Sequence, residues 1–236
     1  MPLTSIEPRR LYRQIAEQIR GLITSGEYAV GARLPPERDL AKQLRVSRPS
    51  VREALIALEV EGLVEVRVGS GIYVTAPAAT GIGAPHAANG GAHAGPFELI
   101  RARRAIEGEC AALAAKEGKR AQLNLITEAL EQMQEDARRL DQPLESDRHF
   151  HLRIAEATNN GALVHVVKSL WDERGGPLFS QLQHHFDTPR SWSAAIREHT
   201  AVVDAIRDHD PERARAAMHH HMDQAAKRFS KSWDGR

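Results

Sequence analysis

The apolar positions fall into three patterns along the chain. Leu11, Ile15, Ile19 and Leu22 recur at helical spacing, and Gly26 and Gly31 close that element with a loop. Pro35-Pro36 opens a short helix over 37–44, Arg45-Val46 turns the chain, and Ser47 is a good N-cap for a third helix. In that helix Pro49 lies in the tolerated first turn, Val51, Ala54, Leu55 and Leu58 form the buried stripe, and Gly62 ends it. The period then switches to two: 63–68 and 72–74 read as strands around the tight turn Gly69-Ser70-Gly71. Three helices followed by a hairpin predict a winged helix-turn-helix over 1–74.

Residues 75–96, TAPAATGIGAPHAANGGAHAGP, hold 16 Ala, Gly or Pro in 22 positions and no charge, which is linker composition. From 97 to 236 the pattern is helical throughout. Candidate helices cover 97–117, 119–140, 143–159, 161–175, a short stretch near 177–186, 191–209 and 211–232. Gly118, Pro143, Gly161, Gly175-Gly176, Pro189 and Pro211 punctuate them. The expected fold class is mostly α: an N-terminal winged helix-turn-helix over 1–74 and a C-terminal bundle of six or seven helices over 97–236.

Composition narrows the function. No apolar run approaches the roughly 20 residues of a membrane helix, and the first residues show no basic-then-apolar leader, so a cytoplasmic location is expected. A lone Cys110 excludes an intramolecular disulfide and multi-cysteine zinc folds, so any metal must use His and carboxylates. A net charge of +1 speaks against nucleic acid only as an average. Within 33–52, Arg33, Arg38, Lys42, Arg45, Arg48 and Arg52 face only Glu37 and Asp39. A helix beginning with Ser47, Arg48, Ser50 and Arg52 suits a major groove, because arginine can bond guanine bidentately and hydroxyls reach phosphates or bases. Arg38 would then lie over the backbone, and the Gly69-Ser70-Gly71 tip could approach DNA closely.

The chain has 12 His. Asp147 and His151 are spaced i,i+4 and share a face with Phe150, Ile154 and Ala155. His199 shares its face with Ile196, Val202, Val203 and Ile206, and His221 with Ala214, Ala217, Met218 and Ala225. His149 and His219 fall on polar faces, His220 lies on a flank, and His86 and His93 belong to the linker. His165, His184, His185 and His209 are left unassigned. One Asp and three imidazoles facing inward are a standard set for a divalent ion, zinc first, with nickel, manganese or iron also suited. The competing account is a buried Asp-His hydrogen-bond network. Arg103 shares a face with Leu99, Ile100, Ile106 and Cys110, with Glu107 one turn on. A buried guanidinium needs an anion, either Glu107 or a ligand.

The stretch ARLPPERDLAKQLRVSRPSVREALIALEVEGLVEVRVGSGIYV resembles the DNA-binding domain of the GntR family of bacterial transcriptional regulators. That resemblance implies operator contacts for Arg38, Ser47, Arg48, Ser50, Arg52 and Gly69. Val68, before the wing glycine, stands where some relatives carry a polar residue. GPFELIRARRAIEGECAALAA, DRHFHLRIAEATNN and EHTAVVDAIRDHDPERARAAMHHHM resemble the FCD effector domain of the FadR-type branch. It implies one divalent ion on Asp147, His151, His199 and His221, an effector carboxylate on Arg103 near Glu107, and no acyl-CoA ligand. Across nearly its whole length the chain is most similar to the repressors of hexuronate catabolism, the ExuR and UxuR group. The resulting expectation is a homodimeric repressor, not an enzyme, that binds a palindromic operator in double-stranded DNA and is released by a uronate, another sugar acid or a hydroxy acid. The alternative is a metal-dependent enzyme on the helical domain, for which Glu107 is the available general base.

Overall fold

The computed structural model describes residues 10–76 and 94–231. The chain divides into two compact units, the first running to Gly95 and the second spanning Pro96–Ser230.

The first unit contains α1 (Leu11–Thr24), α2 (Glu37–Leu44), α3 (Arg48–Val60), β1 (Val64–Arg67) and β2 (Gly71–Val74). On α1 the buried stripe is Tyr12, Ile15, Ala16 and Ile19. Leu11, expected inside, is 47% exposed. The i, i+3, i+4, i+7 row through Ile15 and Ile19 starts at Tyr12, and Leu11 falls on its outer edge. Arg45 ends α2 in the left-handed region at φ 55°, turning the chain into α3, where the Ser47 hydroxyl accepts from the Ser50 amide at 3.3 Å. Val51, Ala54, Leu55 and Leu58 are fully buried, as the stripe requires.

The hairpin is antiparallel, with Val64 opposite Val74 and Arg67 opposite Gly71. Val64 and Val66 point inward and Glu65 and Arg67 outward. Arg33 forms an additional bridge to Tyr73. A Cβ on Gly71, at φ 126°, would meet the Arg33 guanidinium at 2.5 Å, so this wing position requires glycine.

The second unit is seven helices: α4 (Pro96–Glu117), α5 (Arg120–Arg138), α6 (Leu144–Ala157), α7 (Gly161–Arg174), α8 (Pro177–Phe186), α9 (Pro189–Arg207) and α10 (Pro211–Phe229). α9 starts two residues earlier than expected. Pro189 is its first residue, not a break before it, and Thr188 caps it. Asp210 and Pro211 repeat the device on α10. α4 packs on α6, α7, α9 and α10, and α5 on α6 and α9. Ala111, Ala114 and Ala115 give α4 a small-residue face, and Met133, Phe150, Ile154, Val202, Ile206 and Met218 fill the centre. Most of the expected linker, including His86 and His93, lies outside the described residues.

Candidate metal centre

Three helices converge on one buried point. α6 contributes Asp147 and His151, one turn apart; α9 contributes His199 and α10 His221, and all four are at most 5% exposed. His199 Nε2 lies 3.3 Å from His151 Nε2, 3.2 Å from His221 Nε2 and 3.4 Å from Asp147 Oδ1. His151 Nε2 is 3.5 Å from the same oxygen. Four ligands held tetrahedrally at about 2.0–2.1 Å from a zinc-sized ion would stand about 3.3–3.4 Å apart along each edge. The spacings therefore match the edges of a coordination shell. Oδ1 of Asp147 also has no hydrogen-bond partner, an expensive state for a buried carboxylate oxygen unless a cation faces it. The donor set could hold a divalent ion.

The outer atoms of these ligands are positioned by groups that are buried, as Glu107 is, or largely so, as Glu198 and Arg174 are. His151 Nδ1 touches Glu107 Oε2 on α4, and His221 Nδ1 sits 2.9 Å from Glu198 Oε2 on α9. A proton on each Nδ1 leaves each Nε2 lone pair facing the centre. Glu198 is held by Arg228 at 2.6 and 3.1 Å. Asp147 Oδ2 accepts from Arg174 at 2.9 Å, which leaves Oδ1 as the inward oxygen. Sequence reasoning did not single out Glu198, Arg228 or Arg174. Each looks like an ordinary charged surface position, and only the packing of α7, α9 and α10 turns them inward.

Electrostatics favour the deprotonated form of three of the four ligands, Asp147, His199 and His221. Burial opposes the charge on Asp147, but contact with His151 and the charge of Arg174 outweigh it and hold the carboxyl well below its usual range. Burial, followed by the neighbouring imidazoles, pushes His199 and His221 well below the ordinary histidine value. His151 moves the other way: burial lowers it, but Glu107 and Asp147 together raise it. Burial also opposes the charge on Glu107, yet Arg103 and His151 bring its pKa down to about 2.

These shifts have a consequence for the metal-free protein. Below about pH 6.5 the unfolded chain takes up a proton at both His199 and His221, whereas the native state does not. His151, shifted upward, is protonated in the native state throughout and its unfolded counterpart joins it just below pH 6.5, so its opposing contribution is confined to the top of the range, and Asp147 stays ionised in both states. Stability of the helical unit is therefore expected to fall on acidification from pH 6.5 towards 5, at up to about 1.4 kcal/mol per histidine per pH unit. Denaturant midpoints of metal-stripped protein across that range measure it, and a flat profile would contradict the neutral buried pair.

Arg103 and Glu107 both lie inside, as expected, and are paired at 2.7 Å. Arg103 also stacks on Trp171, its guanidinium carbon 4.1 Å from the ring centre, and keeps Nη2 without a hydrogen-bond partner. Arg174 lies 4.4 Å from the same ring. A cavity of about 50 Å³ reaches this group, lined by Arg103, Asp147, Arg174, Trp192, His221 and Arg228 among others. Glu107 is tied on one side by Arg103 and on the other by His151, so it has no free oxygen to serve as the general base that an enzymatic reading needs.

On the first unit, Arg38 and Arg48 are exposed, Ser47 and Gly69 are exposed, and Ser50 is half-buried with its Oγ 2.8 Å from that of Ser47. Arg52 does not fit the expected role. It is 1% exposed, and its Nε donates to Glu37 of α2 at 3.1 Å. Arg52 sits on the inward side of α3 between Val51 and Glu53, both buried, so its guanidinium ties α3 to α2 and is not presented to a groove. Glu37 also reaches Arg48 at 3.4 Å.

Residues 11–74 match the bacterial regulatory proteins of the gntR family, and residues 98–224 match the FCD domain. The chain is 38% identical to the Uxu operon transcriptional regulator of Escherichia coli, over 94% of this chain and 87% of that protein. It is likewise 38% identical to the E. coli Exu regulon transcriptional regulator, over 92% and 83%. Among solved structures, E. coli McbR/YncC is similar in fold, with a TM-score of 0.51 and 23% identity, covering 94% of this chain and 97% of that one. Among the described residues no helix is long and apolar enough to cross a membrane. The wing, the helix-turn-helix and the seven-helix effector unit place this chain in the GntR family of bacterial transcriptional regulators, with an FCD domain: a DNA-binding regulator and not an enzyme.

Proposed function

We propose that this protein is a cytoplasmic repressor that binds a palindromic operator as a homodimer and lets go when a hexuronate or a related sugar acid binds beside a divalent ion in the helical unit. The ion, zinc in the first instance, would be held by Asp147, His151, His199 and His221. Bound there, it supplies a positive centre for the oxygens of an organic acid. The observation that carries this reading is the set of 3.2–3.5 Å separations among four inward ligand atoms. Arg103 adds an unfilled donor at Nη2 for the effector carboxylate, while Glu107 anchors its other side. Similarity to Uxu and Exu regulators supports the sugar-acid class.

On the DNA side, Arg48, Ser47 and Ser50 at the start of α3 read the major groove, Arg38 contacts the backbone, and Gly69 lets the wing approach closely. Two copies related by a two-fold axis make the operator palindromic. Effector binding shifts the dimer between a form that fits two half-sites and one that does not. Gel-shift titration of a palindromic fragment from the protein's own promoter region tests this, with zinc-loaded protein and D-galacturonate or D-glucuronate added. Binding at modest salt that the acids reverse is expected. An operator complex indifferent to every sugar acid and hydroxy acid would overturn the effector assignment.

Glu198 provides a smaller test of the same centre. Glu198→Gln keeps the shape but weakens the acceptor for His221 Nδ1–H, and a loss of metal affinity of about 10–100-fold is expected. Chelator competition measures it, and an unchanged affinity would show that His221 needs no such partner.

A further inference from the structure

A second, larger cavity of about 330 Å³ lies on the other side of Arg174, bordered by Leu144, Arg148, Trp171, Arg174, Ser180 and Gln183. Arg174 lines both this outer space and the inner cavity beside Asp147 and His221, and its ring partner Trp171 lines the outer one. The inner cavity is small. At about 10–15 Å³ for each water-sized group, 50 Å³ admits roughly four, whereas a six-carbon sugar acid has about a dozen non-hydrogen atoms. On that count a three-carbon acid, with about six, comes much nearer to the capacity of the inner space than a uronate does. The outer cavity falls in the range of about 300–1,000 Å³ common for small-molecule sites.

Two buried donors mark the boundary. Trp171 is 5% exposed and its indole Nε1 has no hydrogen-bond partner; Nε of Arg174 has none either. A buried N–H left unpaired is destabilising, and a ligand oxygen would remove that cost.

We propose that the effector site extends across both cavities, its acid end in the inner space and its polyhydroxy tail in the outer one, where Trp171 Nε1 and Arg174 Nε bond its hydroxyls. This rests on the sugar-acid reading of the metal centre and adds the residues that set chain length. Arg174 therefore has two tasks, orienting Asp147 through Nη1 and meeting the ligand through Nε. Trp171 selects for an oxygen at the point where the chain leaves the inner cavity.

The test is calorimetry of the full, metal-loaded chain with D-galacturonate, D-gluconate and L-lactate. Two variants are compared with the wild type. Trp171→Phe keeps an aromatic ring under the two guanidiniums and removes only the N–H; Ser180→Trp, at an exposed position, fills the outer cavity. The wild type is expected to bind at least one six-carbon acid at least tenfold more tightly than lactate. Trp171→Phe should weaken that acid about 5–30-fold, and Ser180→Trp at least tenfold, while lactate affinity and bound metal stay as in the wild type. A six-carbon acid that binds both variants as tightly as wild type would overturn the two-cavity site and leave the sugar-acid reading standing. Lactate binding tighter than both six-carbon acids, or losing as much in the variants, would overturn it as well. If none of the three acids binds the wild type, the sugar-acid reading itself fails and this inference fails with it.

Discussion

His199→Ala is expected to abolish binding of the proposed ion. His199 is the hub of the cluster, since its Nε2 lies within 3.4 Å of ligand atoms of His151, His221 and Asp147. Structural zinc sites bind with about 10–16 kcal/mol, so one of four ligands is worth roughly 3 kcal/mol or more, a loss in affinity of a hundredfold or greater. Elemental analysis after dialysis against a weak chelator should find the ion in wild type and His149→Ala, and none in His199→Ala or in His199→Ala with Asp147→Ala. His149 is the suitable control because it lies on the same helix as Asp147 and His151, is exposed, and pairs with Glu145 at 3.2 Å. Under the proposed function the two His199 variants should keep operator binding but lose the response to sugar acids, because the residues proposed to read DNA belong to the other compact unit. Metal retained at wild-type stoichiometry in the double variant would show that these four side chains form a hydrogen-bond network and not a coordination shell.

The centre was legible from helical periodicity alone. In the run His219-His220-His221, only the third histidine follows Met218 and Ala214 on the apolar row, and the structure buries that one while leaving His220 exposed. Asp147 and His151 are found because i,i+4 pairs share a helix face whatever the tertiary fold. The second layer could not be found in this way. Glu198 meets His221 from another helix, and Arg174 meets Asp147 from across a turn, so both contacts exist only after α7, α9 and α10 have packed. Arg52 shows the opposite failure. A basic residue near the start of a DNA-reading helix was expected to face DNA, yet its position beside Val51 and Leu55 puts it inside, and its partner Glu37 lies fifteen residues back on α2. Burial of a charge is visible in sequence only when its counter-charge can be placed too.

That pair carries the second large effect. In Glu37→Ala, Arg52, 1% exposed, loses the carboxylate that its Nε and Nη2 meet. Removing one partner of a buried pair typically costs about 3–5 kcal/mol. A unit of this size has a total stability of only roughly 3–10 kcal/mol, so Glu37→Ala should leave it partly or wholly unfolded at 37 °C. The helical unit has its own core and should stay folded. Replacing both members, Glu37→Leu with Arg52→Met, removes the stranded charge along with its partner, and much of the stability should return. Arg48→Ala separates folding from recognition. Its side chain is 45% exposed and only loosely engaged by Glu37 at 3.4 Å, so it should weaken operator binding while leaving the denaturation midpoint within about 0.5 kcal/mol of wild type. Urea melts of the three proteins beside gel shifts decide the matter. If Glu37→Ala melts like wild type, Arg52 has another route to solvent or to a different anion, and its place as the clamp between α2 and α3 must be given up.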